Sequence, residues 1–163
     1  MTRVHLLRCG AALVALAVVS AGASADEPKD EKRPAILDVK PLKARDGDDE
    51  LQKLLIERFN VAVTELQGRY QEFVNGRATL ESFGEVARRL VNAELEVRTQ
   101  SADQITALER YVDLMRHIEK RVEERQKAGV GTAAEVAQAR YARLDAEISL
   151  LRAKRTADPV KPK

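Results

Sequence analysis

A histidine and a nearby carboxylate are the groups in this sequence that come closest to a metal-binding pair. Asp113 and His117 are four residues apart, which places them on one face of a helix and within reach of one cation such as zinc. Lys120 and Arg121 follow on that side of the helix and would repel a cation. We therefore predict a solvated helix face at His117 and no metal site.

A glycine-rich turn is the second candidate for chemistry. Gly129 and Gly131 flank Val130 and precede Thr132, so their backbone amides are candidates for cradling a phosphate. The common phosphate loops, however, place a lysine after the glycines or follow a strand, and this sequence does neither. A helical hairpin explains every position, because Gly129 follows a helix end, Val130 lies in the turn, and Thr132 forms a capping box with Glu135. We predict the hairpin.

Nucleophilic catalysis needs a nucleophile beside an oriented base. Beyond residue 25 the sequence offers one histidine, three serines and no cysteine. Its carboxylates lie among lysines and arginines as solvated ion pairs, whereas acid catalysis needs a dry pocket that raises a pKa. We predict no catalytic residue, no enzyme activity, no cofactor and no evident small-molecule substrate.

Residues 1–25 have the pattern of a signal peptide. Arg3 and Arg8 precede an unbroken apolar run at 11–19, and Ala23-Ser24-Ala25 supplies the small residues of a cleavage site. The run is shorter than the roughly 20 apolar residues that span a bilayer. We predict that the chain is exported to the periplasm or the bacterial envelope.

Cleavage after residue 25 changes the charge and the redox chemistry of the chain. It removes Arg3, Arg8 and no acidic residue, so 26 basic residues then balance 26 acidic ones. A neutral chain lacks the positive surplus that nucleic-acid binding needs, and we predict no nucleic-acid partner. Cys9 also leaves, so packing alone must stabilise the fold.

The elements that must position these residues are predicted to be helices. Residues 26–48 are charged and proline-containing, which indicates a flexible leader. Between Pro41 and Pro159 there is no proline and no strand-like alternation, so residues 49–155 are predicted to form a helical hairpin domain. Residues 156–163 are predicted to be a disordered tail.

Apolar residues recur every three or four positions in this domain. The first helix is expected from about Asp49 to Val74, and a second helix is expected to open with Thr79 as its N-cap. Whether residues 79–128 form one helix or two stays open: Ser101 and Gln104 fit a capping box, but no glycine or proline enforces a break. A final apolar stripe is expected from Val136, Tyr141, Leu144, Ile148 and Leu151.

An internal repeat relates two parts of the domain. Residues 76–95 align without gaps on residues 129–148 at an offset of 53, with Gly76 matching Gly129 and Thr79 matching Thr132. The predicted hairpin tips are residues 75–79 and 128–132. The predicted fold is all-α, with two repeated helical hairpins forming a coiled-coil-like or four-helix bundle, or with one long central helix shared between them.

The second tip carries a family resemblance. The pattern Gly129-Val130-x-Thr132-x-x-Glu135 resembles the hairpin tips of TolC-type outer-membrane efflux proteins, and the likeness covers about residues 105–154. In that family the tip of a periplasmic coiled coil meets a membrane-fusion adaptor. The resemblance implies a protein-contact tip formed by Gly129, Val130, Gly131, Thr132 and Glu135. It covers the helical segment alone, so it does not imply pore activity.

The charge pattern indicates how the domain would work. Opposite charges alternate along narrow apolar stripes, which suits helices that pack side by side on a partner or on a second copy. We predict a periplasmic helical interaction protein, a homo-oligomer or tight four-helix bundle, with a role in efflux or envelope assembly. The alternative is a holdase-type chaperone or a ligand-binding helical bundle.

Overall fold

The computed structural model of the chain describes residues 33–158, and this part contains four helices and no strand. The predicted all-α class is confirmed. The helices are α1 (Glu50–Val74), α2 (Leu80–Val97), α3 (Ser101–Lys127) and α4 (Ala133–Ala157), and a short 3-10 turn (Ala35–Asp38) precedes them. The predicted signal peptide, residues 26–32 of the leader and residues 159–163 of the tail lie outside the described residues.

The helices are arranged as two hairpins. α1 packs along α2 and α3 packs along α4, while α2 also contacts both α3 and α4. Asp49 caps α1 by accepting a hydrogen bond from the Gln52 backbone amide at 2.7 Å, and Thr79 caps α2 in the same way through the Ser82 amide at 3.1 Å. The predicted starts of both helices agree with the structure to within one residue.

Residues 79–128 form two helices rather than one. The Gln104 side chain donates hydrogen bonds to the backbone carbonyls of Leu95, at 3.0 Å, and Arg98, at 2.8 Å. These bonds satisfy carbonyls that have no helical partner at the end of α2. The predicted capping box is wrong, because Ser101 is the first residue of α3 and the N-cap is Gln100, which makes no side-chain capping bond.

One hydrophobic core contains side chains of both hairpins. Phe83 stacks on Phe73 at a ring-centroid distance of 5.1 Å and lies 6.0 Å from the ring of Tyr70. Phe59 and Leu114 are among the other fully buried residues. Burying a side chain of this size contributes about 1.5–3 kcal/mol relative to leaving it in water, so α1, α2 and α3 supply most of the apolar stabilisation.

The segment before α1 is packed as far as Leu42, which corrects the prediction of a flexible leader for residues 33–42. Ile36 and Leu37 are each only 1% exposed, and their turn lies against α1 and α3. The Asn60 side chain accepts a hydrogen bond from the Leu42 amide at 2.7 Å and donates one to the Leu42 carbonyl at 2.9 Å. Gln67 holds the Leu37 carbonyl at 3.0 Å. Two adjacent apolar residues such as Ile36 and Leu37 give no periodic pattern. The surrounding prolines and charges indicate a solvated segment, so the sequence did not predict their burial.

The other end of the domain also extends beyond its predicted limit. α4 continues through Ala157, so residues 156–157 of the predicted disordered tail are helical. One ion pair, between Lys154 and Glu109 at 2.7 Å, joins the last turns of α4 to α3. Among residues 33–158, no helix combines the length and the apolar character needed to cross a bilayer.

Candidate functional site

The second hairpin tip is a tight turn made by backbone hydrogen bonds. Gly129 has a φ of 76°, in the left-handed region that favours glycine. Its amide donates to the Gln126 carbonyl at 2.9 Å, and the Val130 amide donates to the Arg125 carbonyl at 3.0 Å. These two bonds form a Schellman motif, which satisfies the carbonyls left free at the end of α3.

The capping box that was predicted after this turn is present. The Glu135 amide donates to Thr132 Oγ1 at 3.2 Å, and the Thr132 amide donates to Glu135 Oε2 at 2.8 Å. The backbone hydrogen bond from Thr132, together with that from its hydroxyl, lowers the pKa of Glu135 below its ordinary value. The Glu135 carboxylate thus occupies the start of α4, where a phosphate would have to bind.

Gly131 and Val130 have different roles in the tip. A Cβ at Gly131 would lie 3.0 Å from the Gln126 backbone nitrogen, so the turn is closed too tightly there for a larger residue without movement. Val130 projects outward and is 66% exposed. Of the five residues predicted for the contact tip, four shape or cap the turn, and Val130 presents an apolar side chain to solvent.

The first tip has the same backbone geometry. Gly76 has a φ of 69°, its amide bonds the Phe73 carbonyl at 3.0 Å, and the Arg77 amide bonds the Glu72 carbonyl at 2.7 Å. Thr79 then caps α2 as Thr132 caps α4. The repeated sequence pattern thus corresponds to a repeated turn, but Arg77 takes the place of Val130, so the two tips present different chemistry.

The buried face of α4 consists of small residues. Its buried residues are Ala139 and Ala146, and Ala153 packs partly against the same core. Four residues of the expected stripe are exposed instead: Tyr141 is 74% exposed, Leu144 43%, Ile148 45% and Leu151 56%. The predicted stripe is therefore not buried as a unit, because only its first residue, Val136, packs partly against the core. Alanines at seven-residue intervals let α3 and α4 approach closely, which larger side chains would prevent.

Ion pairs at the edges of this alanine contact fix the rotation of α4. Arg143 bonds Glu119 across the contact and Glu147 at 2.7 Å along α4, and Arg116 reaches Glu147 at 2.7 Å. The hydrogen bond from Arg116, with the charge of Arg143, lowers the pKa of Glu147. These charged groups flank the alanine face, so the larger apolar residues are left on the outside.

His117 contacts the hydroxyl and the ring of Tyr70. Its Nε2 is 3.0 Å from the Tyr70 hydroxyl, and its ring centroid is 6.1 Å from that of Tyr70. The sequence suggested a solvated face, but the side chain is half-buried between α1 and α3. Within residues 33–158, no group of three histidine, cysteine or acidic side chains is arranged to hold a metal ion.

A cleft of about 220 Å³ lies between α2, α3 and α4. Phe83, Met115 and Ile118 are among the apolar residues that line it, and Arg88 and Asp145 contribute charge. Sequence reasoning did not identify this cleft, because it depends on how two hairpins pack and not on any local pattern. Burial raises the pKa of Tyr111, another lining residue, to about 12.

No protein-family model, curated protein sequence or solved structure matches the chain. The likeness of residues 105–154 to TolC-type hairpins therefore stays a prediction from the residues quoted above.

Proposed function

We propose that the chain is an exported helical interaction protein that works in the periplasm or envelope through contacts made by its second hairpin. The observation that carries this proposal is the apolar surface left exposed on that hairpin. Val130 at the tip and four large side chains along α4 face solvent, while the inner faces of the helices are filled. A contiguous apolar stripe on a small domain is typical of a protein-binding surface.

The tip is built to hold its shape when a partner binds. The Schellman turn and the Thr132–Glu135 capping box satisfy the backbone groups at the ends of both helices, so little order remains to be imposed on binding. A rigid turn that presents one apolar side chain suits insertion into a shallow pocket of another protein. The pattern shared with efflux-protein tips favours a partner in an envelope assembly.

Site-specific photocrosslinking tests the tip contact. A photoreactive amino acid at Val130 is expected to crosslink a discrete envelope protein in intact cells, whereas the same probe at Arg77, the equivalent position of the first tip, is expected to give none. Arg77 is also exposed, so accessibility alone does not separate the two sites. Equal crosslinking at both positions, or none at Val130 and along α4, would overturn the proposal.

A holdase-type chaperone or ligand-binding bundle is the second candidate, and the cleft between α2, α3 and α4 favours it. Its apolar lining could take an apolar side chain or a small hydrophobic ligand. This candidate predicts that an apolar dye binds the folded chain and that Met115→Glu, which puts a charge into the cleft, abolishes the binding. Suppression of a client's aggregation that survives removal of the α4 stripe would favour it over the first.

A further inference from the structure

We propose that α4 pairs with α4 of a second copy of this chain, side by side, in the same direction and in register. This inference rests on the proposed function, because it identifies a partner for the surface by which the chain is proposed to work. The surface is a row of exposed apolar residues that we call the outer seam: Ala134, Ala137, Tyr141, Leu144, Ile148 and Leu151.

The spacing of the outer seam is that of a two-stranded coiled coil. Its residues alternate at intervals of three and four, so in the seven-position repeat lettered a to g they occupy a and d throughout. At 1.5 Å per residue, the row extends over roughly 26 Å along α4. The alanines that bury against α3, Ala139 and Ala146, recur at position f on the opposite side. The inner face is already packed, and the outer seam is the face without a partner among the described residues.

The residue types at these positions favour two parallel strands. Ile148 occupies an a position, and Leu144 and Leu151 occupy d positions. A β-branched residue at a with leucine at d favours a parallel dimer over larger assemblies. Tyr141, which also occupies an a position, would stack against Tyr141 of the second copy. The same row on a second copy is therefore a complementary surface of the right chemistry.

The charges beside the outer seam decide the direction of the partner. In a parallel pair, each g residue faces the e residue five positions later on the other helix. Arg140 of one copy then faces Asp145 of the other, and Glu147 faces Arg152, so both contacts join opposite charges. An antiparallel pair that stacks the same four large residues would oppose Asp145 to Asp145 and Glu147 to Glu147. Like charges disfavour that arrangement.

These charged groups are available for the contact. Arg140, Asp145 and Arg152 form no side-chain ion pair within residues 33–158 that would compete with it. Glu147 already bonds Arg116 and Arg143, and Arg152 of the second copy would add a third cation to that network. The Arg140–Asp145 contact is thus the one expected to carry more of the orientation preference.

Charge reversal in the full-length chain tests the pairing. The wild-type protein is expected to change from one chain mass to two as its concentration rises in analytical ultracentrifugation. Arg140→Glu or Asp145→Arg alone places like charges at two symmetric contacts, and each is expected to weaken the dimer by about tenfold or more. An equimolar mixture of the two single variants, and the double variant, are expected to dimerise like wild type. Lys53→Glu on α1 is the matched control and leaves dimerisation unchanged.

Disulfide trapping tests direction and register independently. In a Cys9→Ser background, Leu151→Cys places one thiol of each copy at facing d positions, and mild oxidation is expected to link the two chains. Ser149→Cys, two residues away and off the outer seam, is expected to stay unlinked. A wild-type protein that keeps the mass of one chain at every concentration, or trapping at Ser149 in place of Leu151, would overturn the proposal.

The outcome separates this inference from the proposed function. Loss of the dimer with retention of the Val130 crosslink would remove the second copy as the partner and leave the tip contact standing. If the protein is a monomer and binds phospholipid vesicles through Ile148, the partner of the outer seam is a membrane surface and not a second copy. Failure of both the dimer and every crosslink would end the proposed function as well.

Discussion

Alanine substitution at three glycines tests the hairpin turns through backbone conformation alone. Gly129 and Gly76 have φ values of 76° and 69°, whereas Gly68 lies in the interior of α1. At all three positions an added Cβ would meet no atom within 4 Å outside its immediate neighbourhood. Contacts with the rest of the protein therefore contribute little, and the backbone decides the sign of the effect.

The expected changes in the free energy of unfolding have opposite signs. A left-handed backbone costs alanine about 1–2 kcal/mol, and the smaller entropy of the unfolded chain offsets about 0.4–1 kcal/mol of that cost. We expect Gly129→Ala and Gly76→Ala to destabilise the domain by about 1 kcal/mol each. Gly68→Ala is expected to stabilise it by about 0.5–1 kcal/mol, because alanine is the better helix former.

Urea unfolding followed by far-ultraviolet circular dichroism measures all three changes. The transition midpoint should move while its slope stays constant, since the same surface is exposed on unfolding. Gly129→Asn should recover part of the loss, because asparagine tolerates the left-handed region better than alanine does. If Gly129→Ala were as stabilising as Gly68→Ala, the chain would not reverse at residue 129, and the two-hairpin fold would be refuted.

Four further changes probe the packing and the caps. Ile36→Ala is expected to cost about 2–5 kcal/mol in urea unfolding, because its side chain is buried, and a cost below about 0.5 kcal/mol would mean that the leader is not packed. Glu94 is 1% exposed, and its carboxylate is 2.6 Å from the Arg110 guanidinium. Glu94→Gln removes this charge and should lower stability by about 1–3 kcal/mol in the same assay. Ala146→Leu should cost about 1–3 kcal/mol by separating α3 from α4, and a neutral result would place α4 differently. The pKa of Glu135 is lowered in the folded state, so its contribution is present above its ordinary value of 4.5 and is lost as pH falls through the folded pKa. The melting-temperature difference between wild type and Glu135→Ala should therefore shrink on acidification.

Local signals in the sequence were sufficient for the starts of α1, α2 and α4 and for the two glycine turns. The caps at Asp49, Thr79 and Thr132 depend on contacts three residues away, and the two glycine turns depend on backbone conformation that other residues adopt at a cost. Such interactions are encoded within a few positions. They can be read from one sequence because no distant element has to be placed first.

The features that could not be predicted depend on distant contacts. The segment before α1 is held by two side chains of α1: Asn60 bonds Leu42, 18 residues away, and Gln67 bonds Leu37, 30 residues away. Charge and proline content predict a solvated segment correctly only if the folded domain offers no groove in which the segment can pack. The break before Ser101 likewise depends on the hydrogen bonds from the Gln104 side chain to the carbonyls of Leu95 and Arg98 across the turn.

α4 shows why an apolar stripe alone does not identify a buried face. Its sequence carries two stripes on opposite sides: small alanines at seven-residue intervals and large residues at intervals of three and four. Hydrophobicity favours burying the large stripe, but Glu109, Glu119 and Arg116 on α3 pair with cations and a carboxylate that flank the alanines. Turning α4 over would break these pairs and open the close helix contact that alanine permits. The large stripe is thus left on the outside of the hairpin, and its regular spacing is the reason that we propose another helix, and not a pocket, as its partner.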